Sequence, residues 1–193
     1  MKLTKRLWIY DLECFPNFFS GVFKAKDTGE VREFCLWDFG GGELRSDRDV
    51  WLRFLESEVA GLIGFNNLNY DYPMLHHFIY GKDVTPATLY QKSQEVIKAD
   101  FPAVRYPTIP QLDLYRIWHF DNKNKATSLK YVEAGIRFHN VEDLPFPFDY
   151  TVKKEDVDSI MKYNENDVNA TEEFYKITEG NTDNILYKGD NKI

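Results

Sequence analysis

Three segments with the residue pattern of β-strands open the chain, and they restrict the folds that it can adopt. They cover residues 7–13, 18–25 and 31–39, and the stretch KDTGE at 26–30 supplies a tight turn between the second and the third. We therefore expect an antiparallel meander at the start of the domain. Alternating strand and helix patterns follow it, which is typical of an α/β domain with a mixed sheet.

The later segments alternate between helical and strand patterns. A short apolar run at 61–66 predicts a buried parallel strand, and 111–117 predicts a further strand or a passage from strand to helix. Pro73 stands where a helix can begin, and the three glycines at 40–42 predict a loop. Apolar spacing predicts helices over 49–59, part of 86–98, 127–136 and 155–178. We expect one domain over residues 1–178 and a polar, linker-like tail over 179–193.

Length and charge narrow the class of protein. The 193 residues suit one domain with a sizeable core, and the formal net charge is −7. Such a chain is a poor candidate for wrapping duplex nucleic acid by bulk charge, although a site that handles a nucleic-acid end through metal ions stays open.

Cysteine and histidine spacing bears on metals and on the compartment. Cys14 and Cys35 form no CxxC pair and are expected to be buried thiols in a reducing compartment. No histidine has a partner at zinc spacing, so we expect no zinc site. An apolar run of membrane length is missing, so we expect no membrane partner and a cytoplasmic protein, in the host cytoplasm if the chain is phage-encoded.

The first predicted strand ends in the carboxylate pair Asp11 and Glu13. Side chains alternate along a strand, so both acids point to one face while Leu12 points to the other. Two close carboxylates repel each other unless a proton or a cation lies between them. A strand end that emerges into solvent is the alternative interpretation of the pair.

Two further stretches carry an acid in a suggestive place. In NNLNYDYP, at 66–73, Asp71 follows the strand at 61–66, in the crevice beyond strand ends where α/β proteins bind ligands. Capping of the next helix is the alternative role for Asp71. In YNENDV, at 163–168, Tyr163 and Asp167 are four residues apart and share one face of the last helix. A packed tyrosine beside a solvated aspartate is the alternative there.

The ordered set of D-x-E, N-x-x-Y-D and Y-x-x-x-D resembles the motifs of the DEDD superfamily of 3′–5′ exonucleases, in its tyrosine branch. The resemblance is to the proofreading exonuclease domains of phage-type DNA polymerases most of all, and it spans Asp11 to Asp167. The histidine branch does not fit, because Lys162 stands where it would have histidine. The resemblance implies a ribonuclease H-like fold, with a five-stranded mixed sheet flanked by helices.

The resemblance also implies a two-metal hydrolysis that releases nucleoside 5′-monophosphates from the 3′ end of single-stranded or frayed DNA. Two Mg²⁺ or Mn²⁺ ions would activate the attacking water and stabilise the leaving 3′ oxygen. Tyr163 would orient that water. The implied metal ligands are Asp11, Glu13, Asp71 and Asp167, and with Tyr163 they form the implied catalytic set. The candidate substrate-binding residues are Leu12, Phe15 and Asn67.

The partners and the alternatives follow from the same motifs. A single-stranded DNA 3′ end is the expected substrate, and a DNA polymerase domain, in cis or in trans, is the expected partner. An exoribonuclease of the same superfamily is one alternative, because no residue pattern here selects for or against a 2′-hydroxyl. A non-catalytic module that binds nucleic acid or a polymerase is the other.

Overall fold

The structure is a computed structural model, and it describes residues 5–99, 104, 106–120 and 127–182, apart from the side chains of 180–182. In this part of the chain a six-stranded, open, mixed sheet is flanked by helices, which confirms the predicted α/β class. The strands are β1 (Arg6–Phe15), β2 (Phe18–Ala25), β3 (Val31–Asp38), β4 (Leu44–Ser46), β5 (Val59–Gly64) and β6 (Gln111–Asp113). The helices are α1 (Arg48–Ser57), α2 (Asp71–Tyr80), α3 (Pro86–Lys98), α4 (Leu114–Ile117), α5 (Leu129–Ile136) and α6 (Val157–Thr182).

The strand order is β4-β3-β2-β1-β5-β6. Strands β1 to β4 pair antiparallel, so the predicted meander is confirmed, and β5 pairs parallel with both β1 and β6. The expected count of five strands is wrong, because β4 adds a sixth at the edge of β3. All three residues of β4 are exposed, so no apolar run in the sequence signals this strand.

The glycines at 40–42 form the loop that the sequence predicts, and they lead the chain from β3 into β4. All three have positive φ angles, of 77°, 62° and 89°. Glycine is the residue that adopts this region without a steric penalty, so the three in succession permit the reversal.

One face of the sheet packs against α1, α2 and α3 through the largest apolar cluster. Trp51 of α1 lies fully buried in this cluster, stacked on Phe19 and Phe34. A Cβ atom built at Gly21 of β2 would lie 2.5 Å from the Trp51 ring. The missing side chain at Gly21 therefore permits the close approach of α1 to the sheet.

The other face packs against α5 and α6 through two separate apolar clusters. Ile9 belongs to one of them, with Val168 of α6, and Phe15 belongs to the other, with Ile160 of α6. Because side chains alternate along β1, the residues between Ile9 and Phe15 on this face are Asp11 and Glu13. The two acids thus occupy the gap between two apolar contacts with the same helix.

Several element boundaries differ from the predictions. Helix α2 begins at Asp71, two residues before Pro73. Residues 111–117, in contrast, form the predicted passage from strand to helix. A short 3₁₀ turn, Lys154–Asp156, precedes α6, and α6 extends to Thr182, so it includes the start of the predicted tail. Residues 183–193 of that tail lie outside the described residues.

Two other expectations concern cysteines and membranes. Cys14 and Cys35 are buried free thiols, as predicted. None of the helices in the described ranges combines the length and the apolar character that a membrane crossing requires.

Candidate metal-binding active site

Four carboxylates line one cavity of about 640 Å³. Asp11 and Glu13 come from β1, Asp71 is the first residue of α2, and Asp167 lies in the middle of α6. Carboxylate oxygens of Asp11, Glu13 and Asp167 all lie within 4.8 Å of one another, whereas Asp71 is outside that close group. The structure therefore brings the four predicted acids to one place and holds three of them in close proximity.

Parallel pairing explains the position of Asp71. Strand β5 runs beside β1, so the loop that follows it leads into α2 beside the middle of β1. The backbone N–H groups of Asp71 and Leu12 lie near the carboxylate of Asp71 and lower its pKa, although burial raises that pKa more. Tyr70, not Asp71, is the N-cap residue of α2. Asp71 therefore does not cap α2, and its carboxylate lies near the backbone of Leu12 in β1.

Burial and mutual repulsion disfavour negative charge in the cavity. Desolvation raises the pKa of Asp11 and of Glu13 well above its ordinary value, and the charges of Asp71 and Asp167 raise both further. Desolvation likewise raises the pKa of Asp71 to about 8 and that of Asp167 to about 7. A cation among these groups would reverse that trend, because it favours the ionised forms.

Tyr163 lies one helical turn before Asp167, as predicted, and its side chain is almost completely buried. Desolvation, and then the charge of Asp167, raises the pKa of the Tyr163 hydroxyl above its ordinary value. The hydroxyl therefore keeps its proton at neutral pH. The hydroxyl lies near Asp167 and lowers the pKa of that carboxyl, although burial raises that pKa more.

Asn164 is a member of the site that the sequence interpretation missed. Its side chain is fully buried, and Nδ2 donates to Oδ2 of Asp11 across 3.2 Å. The buried Oδ1 atom of Asn164 has no hydrogen-bond partner among the described residues. Helical spacing could have placed Asn164 at the site, because a residue three positions before Asp167 lies on the same face of the helix.

The three candidate substrate-binding residues have different surroundings. Leu12 lines the cavity. Phe15 is fully buried, with its ring 6.4 Å from that of Phe18, and it does not line the cavity. Asn67 is also fully buried, and its Nδ2 donates to Oε1 of Gln111 across 2.8 Å. Neither Phe15 nor Asn67 offers an exposed side chain for the predicted contact with a nucleotide.

Asn66 and Asn69 line the cavity in the place expected for Asn67. Nη2 of Arg116 donates to Oδ1 of Asn69 across 2.9 Å, and Nδ2 of Asn69 donates to Oδ1 of Asn66 across 2.6 Å. Arginine can only donate, so this order fixes both amide orientations. The backbone N–H of Asn66 donates in turn to Asp113, which also caps α4.

The donor set fits a hard divalent cation. Only carboxylate oxygens form the close group of Asp11, Glu13 and Asp167, and Mg²⁺ and Mn²⁺ prefer such ligands. The Asn164 amide that donates to Asp11 also has a buried Oδ1 without a hydrogen-bond partner among the described residues. No histidine or cysteine belongs to the close group, so its chemistry does not favour zinc.

No protein-family model matches the chain, and no curated protein matches it. Function is therefore inferred from the geometry of the site.

Proposed function

We propose that the protein is a metal-dependent 3′–5′ exonuclease that removes nucleoside 5′-monophosphates from single-stranded or frayed DNA ends, in a proofreading role. The observation that carries this proposal is the convergence of four carboxylates, from three separate elements, on one cavity. The sheet order and the flanking helices are compatible with a ribonuclease H-like fold.

Asp11, Glu13 and Asp167 would hold one Mg²⁺ or Mn²⁺ ion, and Asp71 would take part in holding a second. Bound divalent ions supply Lewis acidity, which stabilises the charge that develops on phosphoryl oxygens and lowers the pKa of a nucleophilic water. Mutual repulsion of the acids favours cation binding, because a bound cation offsets the repulsion and stabilises the ionised carboxylates.

The side chains of the protein position the reactants. Tyr163 would orient a water from its place near Asp167, because a phenolic hydroxyl can both donate and accept hydrogen bonds. Its raised pKa makes the hydroxyl a poor general base. Ile97 and Phe148 are exposed apolar residues in the cavity wall, where a sugar and a base can pack. A cavity of this volume suits a terminal nucleotide better than a duplex.

The wider context of the proposal comes from the sequence motifs. They favour DNA as substrate and a DNA polymerase, in cis or in trans, as partner, with action in the cytoplasm. An exoribonuclease is the second candidate, because none of the cavity residues described above selects against a 2′-hydroxyl.

The test uses 5′-labelled single-stranded DNA and RNA of the same sequence, each incubated with Mg²⁺, Mn²⁺ or EDTA. We expect stepwise shortening of the DNA from its 3′ end with either metal and none in EDTA. Asp167→Asn should abolish shortening, because it removes a charged metal ligand. Asp158→Asn is the matched control, since Asp158 is an exposed aspartate on the same helix.

Each contrary outcome points to a definite alternative. Faster shortening of RNA than of DNA would favour the exoribonuclease. Binding of either oligonucleotide without any hydrolysis in Mg²⁺ or Mn²⁺ would favour a non-catalytic module. Equal activity of Asp167→Asn and Asp158→Asn would remove the carboxylate cavity from the mechanism.

A further inference from the structure

Four of the nine described residues that line a second cavity, of about 740 Å³, are aromatic. Its aromatic residues are Trp118, Phe120, Tyr131 and Phe174, which we call the aromatic groove. Trp118 is 37% exposed and Tyr131 is 74% exposed. Among the described residues that line the groove, none carries a charge. A concave aromatic surface of this kind marks a binding site more often than a scattered exposed apolar residue does.

The aromatic groove adjoins the carboxylate cavity. Thr127 and Ser128 line both of them. Phe65 lines the carboxylate cavity, and its ring centroid lies 6.1 Å from that of Phe174 and 6.3 Å from that of Phe120. A chain molecule whose end lies at the carboxylates can therefore continue into the groove without leaving the protein surface.

Charge is nearly balanced on the elements around the groove. Residues 114–120 and 127–137 contain three basic residues, Arg116, Lys130 and Arg137, and one acidic residue, the buried Glu133. Lys130 pairs with Asp143, Arg116 lies 3.8 Å from Asp113, and Glu172 and Glu173 directly precede Phe174 on α6. The aromatic walls, rather than a positive charge, therefore indicate the flat bases of an unpaired strand as the ligand.

We propose that the aromatic groove binds unpaired bases that lie 5′ to the terminal nucleotide of the substrate strand, with Trp118 and Tyr131 as stacking surfaces. This inference rests on the proposed exonuclease function, because it requires the 3′ end to lie at the carboxylates. Stacking on an aromatic ring depends little on base identity, so the groove would add affinity for strand length without adding sequence preference.

The test compares substrates of increasing length in the presence of Mn²⁺. These are the p-nitrophenyl ester of thymidine 5′-monophosphate and thymidine oligonucleotides of two, four and eight units. For the wild type, kcat/KM should rise with length. In Trp118→Ala and Tyr131→Ala the loss should grow with length, to about 5- to 150-fold on the octamer, which is the effect of one lost base stack. Tyr131→Phe should keep the wild-type length dependence, because the ring remains.

Tyr80→Ala is the matched control, since Tyr80 is an exposed aromatic on α2 that lines a different cavity. It should leave the length dependence unchanged. Tyr131 is highly exposed, so its alanine variant is expected to fold, and thermal melts verify this for every variant. A wild-type length dependence in both alanine variants would overturn the groove inference and leave the exonuclease proposal intact.

A binding measurement keeps the two proposals separable if no substrate is hydrolysed. Tryptophan emission is recorded during titration with the thymidine octamer, for the wild type and for Trp118→Phe. Trp8 and Trp51 are fully buried, and the half-buried Trp37 is present in both proteins, so stacking at Trp118 should quench emission in the wild type more than in the variant. Equal quenching would refute stacking there. Dimerisation of the wild type that Trp118→Ala abolishes would assign the groove to a second copy of the chain and overturn the inference.

Discussion

Asn164 holds the carboxylate of Asp11 across the contact between α6 and β1, with 3.2 Å between Nδ2 of the amide and Oδ2 of the acid. The amide can only donate at this atom, so the contact favours an ionised Asp11 in a cavity that otherwise favours protonation. Asn164 also fixes the direction in which the carboxylate points. It thus acts on the metal site through Asp11.

We expect Asn164→Ala to weaken Mn²⁺ binding by about 10- to 100-fold, the usual effect of removing a partner that orients a metal ligand. Calorimetric titration of Mn²⁺ into each variant measures this. Asn166→Ala is the matched control, because Asn166 is a buried asparagine on the same helix whose side chain bonds to Asn140. If the two variants bound Mn²⁺ equally, the contact with Asp11 would have no part in metal binding.

Single-stranded DNA should bind weakly when metal is absent. The chain is acidic, so few phosphates are neutralised and the salt dependence should be shallow. Titration of a labelled oligonucleotide in EDTA, at about 50 and about 200 mM salt, should show less than a tenfold change in affinity. A loss of about 1,000-fold or more over this range would instead indicate a basic groove that makes many phosphate contacts.

The sequence predicted the acids because local periodicity determines their directions. Alternation along β1 places Asp11 and Glu13 on one face, and helical spacing places Tyr163 near Asp167. Parallel pairing of β5 with β1 then brings Asp71 to the same cavity. The acids could therefore be placed from the local sequence around each residue together with the order of the strands.

The roles expected of Phe15 and Asn67 depend on contacts that no local rule contains. Phe15 shares a face with Asp11 and Glu13, yet Val152 and Ile160, far along the chain, pack in the same cluster and cover it. Asn67 lies in a loop without periodicity, where Asn66 has a positive φ of 59°. Its direction therefore depends on Gln111, which belongs to another strand.

Tyr163→Phe should slow hydrolysis by about 10- to 1,000-fold, on the scale of removing one positioned hydrogen-bonding group in an active site. Mn²⁺ binding should persist, because all four carboxylates remain. Asp167→Ala should cause a larger loss, because it removes a ligand. Single-turnover cleavage of one terminal nucleotide measures both variants, with melts to verify folding. Full activity in Tyr163→Phe would make the tyrosine a packing residue, and full activity in Asp167→Ala would contradict the exonuclease assignment.

The metal-free protein should lose stability as the pH rises. The pKa of Asp71 is raised to about 8 and that of Asp167 to about 7, against an ordinary value of 3.8. At a pH between 3.8 and these raised pKa values, Asp71 and Asp167 are protonated in the folded state and ionised in the unfolded chain. Stabilisation from these protons is complete below about pH 4 and is lost as the pH passes through about 7 to 8, so the free energy of unfolding falls over that window.

Asp167→Asn isolates this effect, because it removes one of the titrating groups and keeps the shape of the side chain. Urea unfolding in EDTA measures the free energy of unfolding at about pH 5 and about pH 8. Between these two pH values, that free energy should fall by about 1–3 kcal/mol less in Asp167→Asn than in the wild type. The expected difference is smaller than the full pKa shift would give, because water remains near the half-exposed carboxylate. Asp158→Asn, at an exposed position on the same helix, should decline like the wild type. Saturating Mn²⁺ should stabilise the wild type more at the higher pH, since the ion takes the place of the lost protons. Parallel pH profiles for the wild type and Asp167→Asn in EDTA would show that the pKa of Asp167 is not raised in the folded protein. Repulsion between the carboxylates would then not favour cation binding at this residue.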